Sequence, residues 1–387
     1  MKKIVLSSLV ALTLGTVSAT AGDLKLYQDE VGQVFTTPAE GRTEISSKSS
    51  TPVFAKASKL KFSGKSYVGY TYKKLKENNT DSTDNQGQFE LRRNYIQLKA
   101  YLLEDPKSYF RFTLDGEYKE DGYTGVFVKY AYLYLNDVLP NTGMEFGLAH
   151  TPWIDYETHY GWGMRSIAKS FMDDQGLLNS ADYGINFKTK TPYFTSEVGV
   201  FNGEGYHGLD ANDSVTIGDG NSIDWRFTVA IMGDGEKKRK VTKNTFADVS
   251  FFGELNSNSA KNNGKDYSVY AVQAVYNMPS FLVSGMYVQA DSDKGGKTKY
   301  NVEGYTLNSI YRLGDKKEYT IFARYDNLEE NNIDTDATET TERKYIYGAS
   351  FQQNKNVKWL VSGESYDIKE TDNKDYQKFM LTAEIKY

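Results

Sequence analysis

From Lys59 onward the chain alternates. Apolar or aromatic residues take one set of positions and polar residues the next, a period of two that predicts β-strands with two unlike faces. Ile223, Trp225, Phe227, Val229 and Ile231 alternate with Asp224, Arg226 and Thr228. Phe110, Phe112 and Leu114 alternate with Arg111, Thr113 and Asp115, and Ala181, Tyr183, Ile185 and Phe187 with Asp182, Asn186 and Lys188. The last run sets Phe379, Leu381, Ala383, Ile385 and Tyr387 against Lys378, Thr382, Glu384 and Lys386. Sixteen such runs are legible, at 60–73, 88–103, 107–119, 124–137, 143–150, 180–189, 193–202, 223–233, 244–256, 266–277, 280–292, 299–313, 317–328, 342–354, 356–368 and 375–387.

The connections alternate too. Those at 104–106, 190–192, 278–279, 314–316 and 355 are tight. Those at 74–87, 151–179, 203–222, 257–265, 293–298 and 329–341 are longer and polar, and 234–243 is longer than a tight turn. Short turns on one rim and long loops on the other predict an up-and-down membrane barrel, with both chain ends on the short-turn side when the strand number is even. A strand in lipid must pair every backbone N–H and C=O, so the sheet has to close; one face then meets acyl chains and the other water. The expected fold is all-β, a transmembrane antiparallel β-barrel of about 16 strands over 60–387. Tyrosines such as Tyr67, Tyr70, Tyr72, Tyr345 and Tyr347 fit the girdles at the headgroup levels. The competing architecture is a soluble β-sandwich, which sixteen long two-faced strands would make unusually large.

Composition narrows the class. The 387 residues include 25% charged side chains, and the mean hydropathy is −0.60. Beyond the N-terminus no run approaches the roughly 18 apolar residues of a membrane helix. There is no cysteine and there are three histidines, which excludes disulfide frameworks and thiolate chemistry and disfavours a histidine-rich metal site. The net charge of −5 argues against a nucleic-acid partner. No cofactor motif is present: no glycine-rich phosphate loop precedes a helix.

Residues 1–21 have the three parts of a secretory signal: Met1-Lys2-Lys3, an apolar run from Ile4 to Val17, and Ala19-Thr20-Ala21 as the cleavage site. Residues 22–59 would form an N-terminal periplasmic segment, with a small hairpin around Glu30-Val31-Gly32 and a Ser/Thr/Lys-rich linker at 43–52.

Candidate chemistry lies on the water-facing positions and in the longest connection. Basic candidates for the lumen are Arg93, Lys99, Arg111, Lys129, Lys188, Arg226, Arg312, Arg324 and Lys358. Acidic ones are Asp115, Asp182, Asp224, Asp248, Glu254, Asp326, Glu364 and Glu384. In the fourth run Lys129 shares a face with Leu133 and Leu135, while Tyr130, Tyr132 and Tyr134 line the other. The cost of a midplane lysine in lipid, about 2–4 kcal/mol, places Lys129 inward. The 151–179 loop is rich in apolar residues and needs something to pack on. Folded inward it would narrow the lumen, with Trp153, Asp155, Tyr156, Glu157, His159, Arg165 and Lys169 as constriction-loop residues. Arg93, Arg111, Arg226 and Arg324 are expected to form an attracting wall, and Asp155, Glu157 and Arg165 the loop filter.

Several short motifs resemble the phosphate-selective porin O/P family of outer-membrane proteins. They are Val198-Gly199-Val200-Phe201-Asn202-Gly203, Gly147-Leu148-Ala149-His150-Thr151-Pro152-Trp153 followed by Glu157, Ala181-Asp182-Tyr183-Gly184-Ile185, and Ala323-Arg324-Tyr325-Asp326. Where that family carries Gln-x-Lys before the constriction loop, this chain carries Leu148 and His150. The resemblance implies a sixteen-stranded homotrimeric porin in the outer membrane of a Gram-negative bacterium, with an inward third loop. It also implies passage of small ions and solutes with an anion or phosphate preference. The terminal aromatic Tyr387 resembles the signal read by barrel-assembly machinery. A plugged barrel acting as an enzyme or a surface adhesin is the alternative. An enzyme would need a nucleophile and a base, and no run pairs a histidine with a serine in a recognisable motif.

Overall fold

The computed structural model describes residues 26–30, 33–45, 59–77, 80–81, 86–118, 124–206, 220–233, 235, 239–259, 265–292, 300–332, 337–369 and 374–387. The stretch 1–21, read as a signal peptide, lies outside these residues, as does most of the loop 203–222. The chain divides between Ser58 and Lys59 into two units.

In the first unit β1 (Leu26–Asp29) pairs antiparallel with β2 (Val34–Phe35) and with β3 (Arg42–Ile45). The third strand takes in residues expected to be linker; Leu26, Tyr27, Gln28 and Asp29 supply its backbone partners.

The second unit is a closed antiparallel barrel. Its strands run β4 (Leu60–Glu77), the short β5 (Thr80–Asp81), β6 (Gln86–Ala100), β7 (Tyr109–Tyr118), β8 (Thr124–Leu139), β9 (Thr142–His150) and β10 (Ala181–Lys190). They continue as β11 (Phe194–Phe201), β12 (Asn221–Gly233), β13 (Phe246–Ser259), β14 (Lys265–Met278) and β15 (Phe281–Ser292). The last are β16 (Tyr300–Leu313), β17 (Tyr319–Asn332), β18 (Ala337–Gln352), β19 (Val357–Lys369) and β20 (Lys374–Lys386). Apart from β5, these are sixteen long strands among the described residues, one for each alternating run. They are 8 to 18 residues long, and a tilted membrane strand needs about 9–11.

Strand β20 pairs with β4 and shuts the ring. At the seam Gly64 and Tyr387 exchange backbone hydrogen bonds of 2.8 and 3.2 Å. The Tyr387 ring lies so close over Gly64 that a Cβ there would meet it at 2.1 Å, so a larger residue would have to displace that ring.

The alternation resolves into outside and inside. On β12, Ile223, Phe227, Val229 and Ile231 are exposed, while Asp224, Arg226 and Thr228 are buried. A continuous apolar exterior on a closed sheet is the surface a bilayer requires, and water would not tolerate it. Two local departures re-aim side chains. Between β7 and β8 the register slips after Thr113↔Tyr130, so Lys129 sits in a β-bulge. Lys129, Tyr130 and Tyr132 then all turn inward and are buried, whereas simple alternation had set lysine and tyrosines on opposite faces. Between β4 and β6 a second slip, at Tyr67/Val68, leaves Arg92 unpaired in register beside Arg93. Tyr67, expected in a girdle, is buried on the inside, one residue out of phase with the exposed Val68 and Tyr72.

The inner faces of β13 to β20 carry apolar patches among their polar residues, with Phe252, Val269, Val288, Phe322, Ile346, Leu360 and Met380 all buried. Segment 151–180 covers them. Its helical turn Ile154–Tyr156 passes into a π-helical turn Glu157–Gly161, and a further turn spans Phe171–Asp174. Trp153 stacks flat on Phe252 at 3.4 Å, and Phe171, Met172, Leu177 and Leu178 join the same buried cluster. Trp162, Met164 and Ile167 enter a second cluster with Leu282, Ile310, Phe322 and Met380. Each such side chain contributes about 1.5–3 kcal/mol of burial, which is why this long connection has a fixed course.

Candidate functional site

Segment 151–180 is held by hydrogen bonds as well as by packing. Three wall arginines donate to its carbonyls: Arg92 Nη1 to Ser166 at 2.9 Å, Arg226 Nε to Pro152 at 3.0 Å and Arg324 Nη1 to Lys169 at 2.6 Å. Tyr267 donates to the Leu177 carbonyl at 2.8 Å and Ser284 to that of Gly161 at 3.1 Å. Within the segment Glu157 is fully buried. Its carboxyl accepts from Trp153 Nε1 at 3.0 Å and from the Phe171 N–H at 2.9 Å, tying the first turn to the last. Burial pushes this carboxyl up to about 7, against the opposing pull of Arg324 and of those N–H donors.

Facing the segment, on the side of β19, β20, β4 and β6–β10, is a cavity of about 740 Å³. Eight lysines and arginines line it (Lys65, Lys99, Arg111, Lys129, Arg165, Lys188, Lys358 and Lys386) against three carboxylates (Glu145, Asp155 and Glu384). The lining thus carries an excess of five positive charges within a chain of net charge −5, reduced where Lys129, Arg165 and Lys188 pair with Asp115, Asp173 and Glu197 behind it. Five tyrosines share the lining: Tyr67, Tyr95, Tyr109, Tyr130 and Tyr132.

The cations on this wall are backed by rings. Lys99 Nζ lies 4.2 Å from the centre of Tyr109, Arg111 Cζ 4.4 Å from Tyr130, and Lys129 Nζ 4.3 Å from Tyr206. Arg111 is further fixed by a chain of contacts. Its Nη1 meets Tyr132 Oη at 3.3 Å and His150 Nε2 at 3.1 Å, and His150 Nδ1 meets Glu145 at 3.2 Å. A neutral His150 with its proton on Nδ1 satisfies both neighbours, donating to Glu145 and accepting from Arg111. Glu145 is also engaged by Lys188 at 3.3 Å, and Lys188 reaches Glu197 at 3.2 Å. On the segment side His159 Nδ1 donates to the Asp155 carbonyl at 2.7 Å. The Asp155 side chain is more than half exposed; against partial loss of water, the charges of His159, His150, Lys188 and Arg111 hold its carboxyl below the usual range.

The opposite wall pairs its cations with carboxylates. Arg226 is buried, bonded to Glu197 at 2.7 Å and to Thr195 and Thr228. Arg324 meets Asp326 at 2.7 Å and Arg239 meets Asp248. Tyr156 donates to Asp248 at 2.5 Å.

The expected lumen residues therefore divide. Lys99, Arg111, Lys129, Lys188 and Lys358 lie on the cavity; Arg93, Arg226, Arg312 and Arg324 do not. Arg93 turns to Asp115 at 2.7 Å, and Arg312 to Asn277 and the carbonyls of Val241 and Met278. The attracting wall expected of Arg93, Arg111, Arg226 and Arg324 keeps only Arg111, because the other three guanidiniums are neutralised by carboxylates or consumed by backbone carbonyls. Of the loop residues, Asp155, His159 and Arg165 line the cavity. Trp153, Tyr156 and Glu157 are buried in the packing beneath, and Lys169 offers its carbonyl to Arg324. Glu157 is thus a brace within the loop and no part of a filter, since both carboxyl oxygens are occupied by N–H donors. Expected acids Asp115, Asp248, Asp326 and Glu364 are engaged by Arg93, Arg239, Arg324 and Lys378. Asp182 accepts from the N–H groups of Tyr183 and Gly203, Ser222 donates to Asp224 and Asn256 to Glu254, and Glu384 lines the cavity.

Sequence reasoning passed over Lys65, Lys386, Glu145, His150 and the inward tyrosines. Lys65 and Lys386 stand at polar positions of their runs and were legible by alternation. Arg92, Tyr130 and Tyr132 were not, because a bulge shifts the phase of a strand and leaves no mark in the pattern.

No family model matches the chain, and no curated protein matches it. Its barrel is similar to solved outer-membrane structures. OprB of Pseudomonas putida, in its high-pH structure, aligns over 85% of this chain and 94% of its own, with a TM-score of 0.59 at 10% identity. The anion-selective porin from Comamonas acidovorans aligns over 85% and 100%, with a TM-score of 0.57 at 12% identity. The outer-membrane channel DcaP of Acinetobacter baumannii aligns over 86% and 98%, with a TM-score of 0.53 at 12% identity. At such identities the likeness is one of fold. The chain has the sixteen-stranded barrel fold of bacterial outer-membrane channels.

Proposed function

We propose that this protein is a porin of the Gram-negative outer membrane, a passive channel for small hydrophilic solutes and ions that favours anions. The observation that carries the reading is the cavity between segment 151–180 and the wall of β19, β20, β4 and β6–β10, with eight cationic side chains against three carboxylates. A narrow passage with that lining lowers the barrier to anions, because the field there comes from charges within a Debye length of about 8 Å and not from the net charge of the chain. We infer that the segment stands in the lumen and constricts it, supported by its contacts to the inner faces of β6, β12, β13, β14, β15, β17 and β18. The resemblance to phosphate-selective porins supports anion passage and a homotrimer. A catalytic role has no such support: His150 is taken up by Glu145 and Arg111, and His159 by Asp155.

Recording from the purified protein in a planar bilayer under a KCl gradient tests this. Discrete conductance steps with a reversal potential displaced toward that of chloride are expected. A displacement toward potassium removes the anion preference, and a folded barrel that conducts nothing removes the channel.

A further inference from the structure

Lys99 on β6 and Arg111 on β7 stand directly opposite each other in the strand register. Like charges so placed repel, and natural sheets normally avoid the arrangement. Among the described residues neither forms an ion pair with a carboxylate, and Lys99 makes no hydrogen bond. What holds them is aromatic: Tyr109 at 4.2 Å from Lys99, and Tyr130 and Tyr132 at 4.4 and 5.8 Å from Arg111. A ring positions a cation without cancelling its charge. The result is a doubly positive spot on the cavity wall, set in carbon surface.

A strongly hydrated inorganic anion would gain the charges there but lose water against ring carbon. A carboxylate carried on a flat carbon ring gains on both counts. Its two oxygens can accept from the ammonium and the guanidinium together, and its ring can lie against tyrosine. The cavity, at about 740 Å³, has room for such a molecule. We propose that Lys99 and Arg111, with Tyr109, Tyr130 and Tyr132, form a binding subsite for aromatic carboxylates, of which benzoate is the simplest. The proposal rests on the anion-channel reading and names the solute class that would use the channel.

The test compares benzoate, acetate and inorganic phosphate as blockers of chloride current through the wild-type channel. Benzoate is expected to block at a concentration roughly tenfold below either of the others, the factor a single aromatic contact supplies. Lys99→Gln, and independently Arg111→Gln, are expected to raise the benzoate value by a similar factor. Equal block by acetate and benzoate, or stronger block by phosphate, overturns the subsite while leaving an anion channel in place. Calorimetric titration of the detergent-folded protein with sodium benzoate reads the site without conduction. Saturable heat that is lost in either folded variant upholds the subsite even in a barrel that passes no current; absence of heat in the wild type overturns it.

Discussion

On β6–β8 three inward cations rest on tyrosine; on the wall from β11 to β17 three arginines are closed against acids. Lys99, Arg111 and Lys129 face Tyr109, Tyr130 and Tyr206, whereas Arg226, Arg239 and Arg324 face Glu197, Asp248 and Asp326. Both arrangements make a charged side chain tolerable inside a barrel. Only Lys99 and Arg111, which face no acid, leave the field standing, since Lys129 also has the Asp115 carboxylate at 3.9 Å. The paired wall lies where segment 151–180 packs and serves as its mounting, with Arg226 and Arg324 also gripping the loop backbone. The tyrosine-backed wall lies on the cavity. An inward arginine in such a sequence therefore says little about selectivity until its partner is known.

The sharpest way to break the contrast is to remove a cation from the paired wall. Arg226→Ala takes the guanidinium from buried Glu197, leaving Lys188 at 3.2 Å as its remaining cation, and frees the Pro152 carbonyl. A loss of about 3 kcal/mol is expected, the low end for a broken buried pair because Lys188 stays with Glu197, measured as the shift in urea midpoint of the folded barrel. Those molecules that do fold should keep the wild-type reversal potential.

Next comes the brace of the loop. The folded chain holds a proton on Glu157 up to about pH 7, while the unfolded chain releases it near the ordinary value of 4.5. The unfolded state therefore binds fewer protons across that window, and stability from this group falls as pH rises from 4.5 to 7. The effect reaches at most about 3 kcal/mol. Glu157→Gln should flatten the dependence, read from urea midpoints at pH 5 and 7.5; an unchanged slope would place the titration elsewhere.

The tyrosine-backed wall should answer in selectivity. Reversing both Lys99→Glu and Arg111→Glu takes four charge units from the cavity lining. The chloride-to-potassium permeability ratio should fall by a factor on the order of 10, seen in the reversal potential under a KCl gradient. The smallest effect sharpens the comparison from the other side. Arg111→Ala removes a cation–ring contact but strands no acid, so its cost in stability should stay below about 1 kcal/mol. A cost like that of Arg226→Ala would erase the distinction between the walls.

Much of the fold was legible because lipid enforces a rule the sequence cannot hide. Closure of the sheet makes every strand two-faced, and sixteen alternating runs became sixteen strands. The functional wall was less legible. Lys99, Arg111 and Lys188 followed from alternation, but Arg226 and Arg324 sit at equally good polar positions and were assigned the same role. Their pairing with Glu197 and Asp326 joins a neighbouring strand in one case and the next residue but one in the other. Periodicity distinguishes neither acid from an unengaged one. Glu157 looked like a filter because it is an acid in a long loop, and only packing revealed it buried between Trp153 and Phe171.

What the sequence alone determined, then, is the two-faced strand, its repetition, and the apolar character of the long third connection. These follow from local periodicity and from the requirement that backbone groups in lipid be paired. The tertiary structure decided which inward cations keep their field, through bulges at Lys129 and Arg92 and through the side chain that closes on each one. A shift of one residue in register, or a carboxylate brought across from another strand, changes the charge a solute meets without changing the pattern of the chain.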